Sequence, residues 1–223
     1  MQIEAGRLVR VRQVHRADVA VWRKDDRIPP EPQEADIIMS SDPAAALAIV
    51  AADCVPLLVA DQRTGAVAAA HAGWRGLAAG VPQVTVEALG REFSSRPADL
   101  VVAAGPSIGA CCYEVGADVR QQFEKAGFLS ADLARWFHAG PQPTPANPSM
   151  PGLPATPRAD HWHFDGWAAV RDQLMAAGVP RDQINVAGLC TASHPGALCS
   201  CRRDGPPAGR MAGVVRAATF LGA

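Results

Sequence analysis

Residues 47–76 read LAIVAADCVPLLVADQRTGAVAAAHAGWRG. The stretch contains two apolar runs, LAIVAADC and PLLVADQ, which are separated by little more than Pro56 and have the pattern of buried strands. Residues 62–65 form a turn sequence that returns the chain into a third strand-like run, ending at Gly73. We therefore expect neighbouring strands here, with polar residues gathered where the strands end.

Strands and helices alternate along the rest of the chain. Further strands are predicted over residues 7–14, 35–39, 98–105, 183–190 and 210–218. Helices are predicted over residues 77–93, 115–127 and 166–177. This interspersed order predicts a layered fold of the α/β or α+β class rather than an all-helical or all-β fold.

A proline-rich segment interrupts this order at residues 141–157, which contain seven of the nineteen prolines. Such a density suppresses both helix and sheet, so the segment is predicted to be a surface loop, either a flexible insertion or a lid. No other composition change marks a second unit. We therefore interpret residues 1–223 as one domain.

The composition narrows the class of ligand. The formal net charge is −1, which gives no global electrostatic case for a nucleic-acid or anionic-membrane partner and favours small molecules. No apolar stretch has membrane-spanning length, and the first residues lack the apolar core of a signal peptide, which predicts a cytoplasmic protein. The six cysteines are accordingly interpreted as thiols rather than disulfides.

Three segments place reactive side chains at predicted strand ends: QVHRADV around His15, AADCVP around Cys54 and HAGWRG around His71. Two imidazoles and a thiolate suit Zn²⁺, and three protein ligands leave a fourth position open for water or substrate. The intervals of 39 and 17 residues match no local zinc motif, so these ligands must converge through folding.

Asp53 and Arg75 lie beside these candidates in the sequence. Asp53 is a candidate proton shuttle or partner of the metal ligands, and Arg75 a candidate anion binder. Taken singly, a cysteine in an apolar run is most often a small buried residue, and a histidine at a strand end a surface group. The functional interpretation depends on their coincidence with glycine and arginine in tight turns.

Two other segments leave alternatives open. GPSIGACCYEVG predicts Cys111, Cys112 and Glu114 at the mouth of a helix, where a thiol pKa is depressed, or else a simple strand-to-helix turn. The loop that carries Arg202, Arg203 and Arg210 is either a phosphate-binding loop or a solvated turn.

The remaining candidates have weaker patterns. His161 and His163 would share one face of a strand, but surface placement near the proline-rich segment is favoured over metal binding. No role is predicted for Cys190, Cys199 or Cys201, because their spacing to histidine matches no known ligand pattern.

Five groups of short motifs occur in order from His15 to Met211: QVH with ADV (13–19), ADCVP (52–56), HAGWRG (71–76), GPSIG with CYEV (105–115), and RRD with GRM (202–211). Together they resemble the YfiH family, also called the laccase-domain or polyphenol oxidase family. The resemblance covers nearly the whole chain, and the combination of ADCVP with HAGWRG is highly specific.

The resemblance implies mixed sheets with outer helices in an α/β/β/α layering of the α+β class, and a zinc site at His15, Cys54 and His71. It also implies phosphorolysis of adenosine, inosine and methylthioadenosine, with adenosine deamination as a second activity. Arg75 and Arg202 then become the expected substrate-binding cations, and Cys54, His71, His15 and Asp53 the expected catalytic set.

The sequence also departs from the family pattern. Similar proteins carry an upstream Ser/Thr-Arg-Gly-Gly motif whose arginine belongs to the site, and this chain begins after it, so phosphate binding is expected to be affected. TASH at residues 191–194 and CSC at residues 199–201 replace versions that usually contain an aromatic residue. One wall of the pocket is therefore expected to differ.

Four other functions compete with nucleoside chemistry. Multicopper oxidation needs about ten histidines, so copper is less favoured in a chain that has six. A metal-free cysteine hydrolase would use Cys54 as nucleophile and His71 as base, and the family also includes members described as peptidoglycan editing factors. A closed, structural zinc site in a binding protein is the non-enzymatic alternative.

Overall fold

A six-stranded mixed sheet forms the centre of the computed structural model, which describes residues 7–153 and 158–218. The strands are β1 (Leu8–Arg10), β2 (Val19–Trp22), β3 (Ile37–Ser40), β4 (Ala46–Ala51), β5 (Val55–Asp61), β6 (Val67–Ala72), β7 (Leu100–Ala104), β8 (Glu114–Gly116), β9 (Phe137–His138), β10 (His161–Phe164), β11 (Ile184–Val186) and β12 (Met211–Arg216). The helices are α1 (Trp74–Ala78), α2 (Val81–Phe93), α3 (Ala117–Lys125), α4 (Ser130–Trp136), α5 (Gly166–Ala176) and α6 (Cys201–Asp204).

The central sheet has the strand order β11-β7-β5-β6-β3-β2. Its middle pair, β5 and β6, is antiparallel and comes from residues 47–76, where neighbouring strands were predicted. Every residue of β6 is buried, and four of its six residues are alanine. Small side chains on both faces allow the layers above and below this strand to approach closely.

Two smaller sheets and the helices complete the layers. The sheet β1-β4-β12 packs on one face of the central sheet through a cluster that includes Leu47, Ile49 and Val67. Helices α2 and α5 lie on the other face, where Leu57, Leu89 and other apolar residues form the larger core. The third sheet, β8-β10-β9, joins that core through Phe164.

These layers confirm the predicted α+β class of mixed sheets with outer helices. Within the described ranges, no helix combines the length and apolar character that a membrane crossing requires. The cytoplasmic location, and the interpretation of residues 1–223 as one domain, stay predictions.

Three local predictions were wrong. The helix expected over residues 77–93 is two helices, because Gly80 has a φ of 75° and Pro82 opens the second one. Val115 belongs to strand β8, since α3 begins only at Ala117. Pro56 lies inside β5, and the break before that strand is at Asp53.

The proline-rich segment contains no helix or strand in its described part, residues 141–153, as predicted. Residues 154–157 lie outside the described residues. Asn147 anchors the segment, because its amide donates to the carbonyl of Gly188 at 2.8 Å and its oxygen accepts from the backbone of Cys190 at 2.7 Å. The segment therefore packs against the loop that follows β11.

Candidate active site

Folding brings together the three predicted ligands, which we call the His-Cys-His cluster: His15, Cys54 and His71. One potential ligand atom from each residue lies within 4.8 Å of the others. Pairing of β5 with β6 places Pro56 opposite His71, so the turn that carries Cys54 reaches the same end of the hairpin. Such a donor set can hold a metal ion, and the assignment of the individual ligand roles stays a prediction.

A buried carboxylate, Asp36, holds two arms of this cluster. One of its oxygens lies 2.8 Å from Nδ1 of His71, and the other accepts the backbone N–H groups of Val14 at 3.1 Å and Arg16 at 2.7 Å. Burial opposes ionisation of Asp36, but these hydrogen bonds outweigh it and lower its pKa. Asp36 therefore leaves Nε2 of His71 for the cluster and fixes the loop around His15.

Within the cluster, the negative charge of Cys54 and the positive charge of His71 stabilise each other. Burial opposes the thiolate of Cys54, but hydrogen bonds and charges from His15 and His71 outweigh it and lower the pKa of Cys54 to about 7. Burial also opposes the imidazolium of His71, yet Asp36 and Cys54 raise its pKa to about 9. Without a metal, Cys54 and His71 thus form a thiolate–imidazolium pair.

Backbone geometry at the cluster is tight. His15 and Asp53 have φ angles of 60° and 90°, a region that non-glycine residues rarely adopt. A Cβ atom placed on Gly73 would lie 2.8 Å from Sγ of Cys54 and 3.4 Å from Cδ2 of His15. Gly73, the first glycine of HAGWRG, is therefore required because the side chains of the cluster leave no room for a Cβ atom there.

Asp53 braces the turn that carries Cys54. Its Oδ1 accepts the hydroxyl of Thr191 at 2.5 Å, and its Oδ2 accepts the backbone N–H of Arg202 at 2.7 Å. Both carboxylate oxygens are thus engaged with the loop that precedes α6 and with α6 itself. This arrangement fits a partner that positions the ligands, and a catalytic role for Asp53 stays a prediction.

An open cleft of about 550 Å³, the arginine cleft, lies beside the cluster and includes Arg75, Arg158 and Arg202 in its lining. The guanidinium of Arg75 is 4.3 Å from the centre of the Trp74 ring, and that of Arg202 is 5.1 Å from the centre of the Tyr113 ring. In the described part of the chain, Arg75 forms no ion pair. The cleft therefore offers cationic and aromatic groups together.

Trp74 and Tyr113 connect the arginine cleft with the His-Cys-His cluster. Both also line a small cavity of about 30 Å³ whose wall includes Cys54 and Gly73. Burial raises the pKa of Tyr113, and the thiolate of Cys54 adds to this effect, so its hydroxyl stays a hydrogen-bond donor. These two rings therefore lie between the arginine cleft and the cavity beside Cys54.

The family model described as "Multi-copper polyphenol oxidoreductase laccase" matches residues 1–218. The chain belongs to this family. Among solved structures, the YfiH protein of Bacillus licheniformis superposes with a TM-score of 0.83 at 27% identity, covering 97% of this chain and 76% of that one. YlmD of Geobacillus stearothermophilus gives 0.77 at 31% identity, with 96% and 74% covered. The predicted membership in this laccase-domain family is confirmed.

Curated members of the laccase-domain family carry enzyme names. A Bacteroides thetaiotaomicron protein named purine nucleoside phosphorylase is 36% identical over 79% of this chain and 58% of its own length. A Streptomyces coelicolor protein of the same activity name is 36% identical over 96% and 76%. The protein named adenosine deaminase RL5, from an unknown prokaryotic organism, is 33% identical over 96% and 77%. The chain thus spans less than two thirds of the Bacteroides protein.

The structure separates the arginines that sequence reasoning grouped together. Arg202 lines the cleft of this laccase-domain protein and donates to the carbonyl of Glu114 at 2.7 Å. Arg203 instead donates to the carbonyl of Thr191 at 2.7 Å, and Arg210 to the carbonyl of Ala208 at 2.6 Å. The guanidinium groups of Arg203 and Arg210 therefore stabilise the loop backbone through hydrogen bonds to its carbonyl groups.

Of the two alternatives left open for Cys111 and Cys112, the structure excludes a helix mouth, because α3 begins only at Ala117. They lie in a buried turn before β8, and the neighbouring thiols of Cys112 and Cys190, followed by burial, raise the pKa of Cys111. His163 is also buried, contrary to the favoured surface placement, and burial lowers its pKa. These residues form no part of the His-Cys-His cluster.

Sequence reasoning missed three residues of the site. Asp36 follows no motif that was singled out, although it opens a predicted strand. Tyr113 appeared only inside a family motif, and Arg158 adjoins the proline-rich segment. Arg158 forms an ion pair with the buried Glu114 and lowers the pKa of that carboxyl. The ion pair fixes Arg158, which directly follows the proline-rich segment, at the edge of the cleft.

Proposed function

We propose that this protein is a zinc-dependent purine nucleoside phosphorylase that acts on adenosine, inosine and methylthioadenosine, with adenosine deamination as a second activity. The observation that carries the proposal is the position of the His-Cys-His cluster next to an arginine- and aromatic-lined cleft, with Trp74 and Tyr113 between them. The names of the phosphorylase and deaminase relatives support the same chemistry.

We assign zinc rather than copper to the His-Cys-His cluster. Two imidazoles and a thiolate are borderline-soft ligands, and Asp36 supplies the outer hydrogen bond that a zinc-bound histidine usually makes. When bound, zinc supplies Lewis acidity and lowers the pKa of a water ligand. Multicopper oxidation, which the family description names, needs about ten histidines, and the sequence contains six.

The arginine cleft supplies the groups that phosphorolysis requires. In this reaction a phosphate oxygen bonds to the anomeric carbon, the bond from that carbon to the purine nitrogen breaks, and the purine takes up a proton. Arg75 and Arg202 hold the phosphate by charge-assisted hydrogen bonds. Trp74 and Tyr113 offer ring faces to the nucleoside, so the two substrates are held side by side.

Phosphate-dependent base release tests this function. Purified protein is incubated with inosine, with and without inorganic phosphate, and we expect equal amounts of hypoxanthine and ribose 1-phosphate only when phosphate is present. Adenosine is expected to give adenine and, by deamination, inosine. Base release without phosphate would indicate a hydrolase and contradict the proposal, as would the absence of any turnover.

The variant Arg75→Gln probes the phosphate subsite in the same assay. Loss of a charge-assisted hydrogen bond costs about 1.5–3 kcal/mol, so the KM for phosphate is expected to rise about 10- to 100-fold. Arg210→Gln is the matched control, because Arg210 contacts carbonyls of its own loop. An equal KM for phosphate in both variants would show that Arg75 does not bind the phosphate.

A metal-free cysteine hydrolase is the second candidate, and the thiolate–imidazolium pair of Cys54 and His71 is the observation that favours it. The two functions respond differently to reagents. A chelator abolishes the activity of a zinc enzyme and leaves a cysteine hydrolase active, whereas a thiol alkylator abolishes the hydrolase.

Alkylation of Cys54 has an expected pH profile. In chelator-treated protein, the rate of Cys54 modification by iodoacetamide should rise with pH to a midpoint of about 7, because the thiolate is the reactive form and its pKa is lowered by His15 and His71. Peptide mass spectrometry at several pH values measures the rate of Cys54 modification. Zinc should protect Cys54, and a midpoint near 9 would show that the pair does not form.

A further inference from the structure

A second group of potential metal ligands, the three-cysteine cluster, consists of Cys111, Cys112 and Cys190. Their sulfur atoms lie within 4.8 Å of one another, and all three residues are buried. All are free thiols in the structure. The mechanism proposed above uses none of them.

Two of the three sulfur atoms accept hydrogen bonds from the backbone, as thiolates do. The backbone N–H of Gly109 donates to Sγ of Cys190 at 3.3 Å, and that of Met150 donates to Sγ of Cys112 at 3.2 Å. The Ser193 hydroxyl oxygen lies 3.5 Å from the sulfurs of both Cys111 and Cys112 and can accept from their thiols, because its own proton is donated to the carbonyl of Pro148. Backbone N–H groups that donate to sulfur stabilise it when it is coordinated, just as outer partners orient other metal ligands.

The surroundings of the cluster are apolar. Ile108 and Ala192 pack against the cysteines, with Met150, Leu153 and Trp167 at the rim. Among the described residues, no histidine or carboxylate joins this ligand group. Three adjacent thiolates cannot all be charged in such a site without a cation, and an all-sulfur shell selects soft ions.

We propose that the three-cysteine cluster is a second metal site, specific for Cu(I). Three thiolates complete the trigonal shell that Cu(I) accepts, whereas zinc prefers four ligands. Each coordinated thiol releases its proton to solvent and the ion keeps its charge, so binding needs no oxidant. The apolar cover keeps water from the ion. This proposal does not rest on nucleoside chemistry at the His-Cys-His cluster.

The described part of the proline-rich segment forms that cover. The carbonyl of Pro148 accepts the Ser193 hydroxyl at 2.6 Å and the thiol of Cys112 at 3.7 Å, while Met150 contributes its N–H. Asn147 ties the same segment to the backbone of Cys190. We therefore assign residues 147–150 to the three-cysteine cluster as its cover.

Anaerobic titration with Cu(I) in the Cys54→Ala background tests the proposal, because that change removes the first site. With a chromogenic Cu(I) chelator as competitor, we expect one Cu(I) per chain and an ultraviolet thiolate-to-copper absorption. Cys190→Ser in this background should weaken binding by at least ~100-fold, since a ligand is lost. Cys199→Ser is the control and should bind as the background does, because Cys199 belongs to neither ligand group.

Circular dichroism and thermal unfolding establish that each variant is folded, and Cys111→Ser replaces Cys190→Ser if the latter does not fold. Equal Cu(I) binding in the background and in the folded cysteine variants would overturn the proposal. So would the isolation of a disulfide between two of these cysteines in protein that binds no Cu(I). Nucleoside phosphorylase activity, present or absent, does not enter this test.

Discussion

Cys54→Ala is expected to lose its zinc and to lower kcat for inosine phosphorolysis about 10³-fold. The change removes the only thiolate of the His-Cys-His cluster and leaves two imidazoles, of which His15 is exposed. Metal chemistry in an enclosed site supplies several kcal/mol of transition-state stabilisation, and about 1.4 kcal/mol corresponds to a factor of ten in rate. Metal analysis and the base-release assay measure both losses.

Cys199→Ala is the matched control for this experiment, because Cys199 is also a half-buried free thiol but lies in neither ligand group. It should keep both zinc and activity. If Cys54→Ala bound zinc normally and still lost activity, Cys54 would act as a nucleophile rather than as a ligand. Retention of both zinc and activity would show that Cys54 is neither a metal ligand nor a catalytic residue.

Gly73→Ala is expected to lower activity about 10²-fold without unfolding the protein, because displacement of catalytic groups by about 1 Å has a cost of that order. A methyl group at this position meets Sγ of Cys54 at 2.8 Å and Cδ2 of His15 at 3.4 Å, so the Cys54 sulfur or the backbone of residue 73 must move. Zinc affinity should fall together with the rate. Competition with a zinc chelator and the base-release assay provide the two measurements.

Gly196→Ala controls for the general cost of replacing a glycine. A Cβ at Gly196 meets no atom within 4 Å, so this variant should keep the activity and the zinc affinity of the parent protein. Thermal unfolding of both variants separates a site effect from a loss of fold. If the two variants had equal activity, the space at Gly73 would have no bearing on the cluster.

The cluster could be predicted from the sequence because its parts follow strand ends. Cys54 precedes β5, and His71 lies near the end of β6, so pairing of one hairpin brings them together. The convergence of His15 could be inferred only from its chemistry and from the family resemblance. The local motifs therefore predicted the candidate ligands, and the fold supplied their distances.

Long-range partners could not be predicted in the same way. Asp36 lies 35 residues before His71, and no local pattern distinguishes its carboxylate from other acidic groups at strand ends. Cys190 was given no role because its spacing to histidine matches no ligand pattern, and its partners in the structure, Cys111 and Cys112, are about 80 residues away. Such contacts depend on how the loops pack, which periodicity and spacing do not encode.

The misplaced helix boundaries have a different cause. Gly80 and Pro82 lie within the helix predicted over residues 77–93, and the structure shows that one helix ends before Gly80 and another begins at Val81. Val115 fits an apolar helical repeat with Val119 and Phe123, but pairing with Trp162 of β10 places it in a strand. Tertiary pairing outweighed a weak local preference there.

The central claim is that His15, Cys54 and His71 hold one zinc ion with an open coordination position. Anomalous diffraction at the zinc edge, from crystals of the zinc-loaded protein, tests it most directly. We predict a single strong peak bounded by these three side chains, with water or phosphate as the remaining ligand. No peak at this position would contradict the account, as would a fourth protein ligand that closes the coordination sphere.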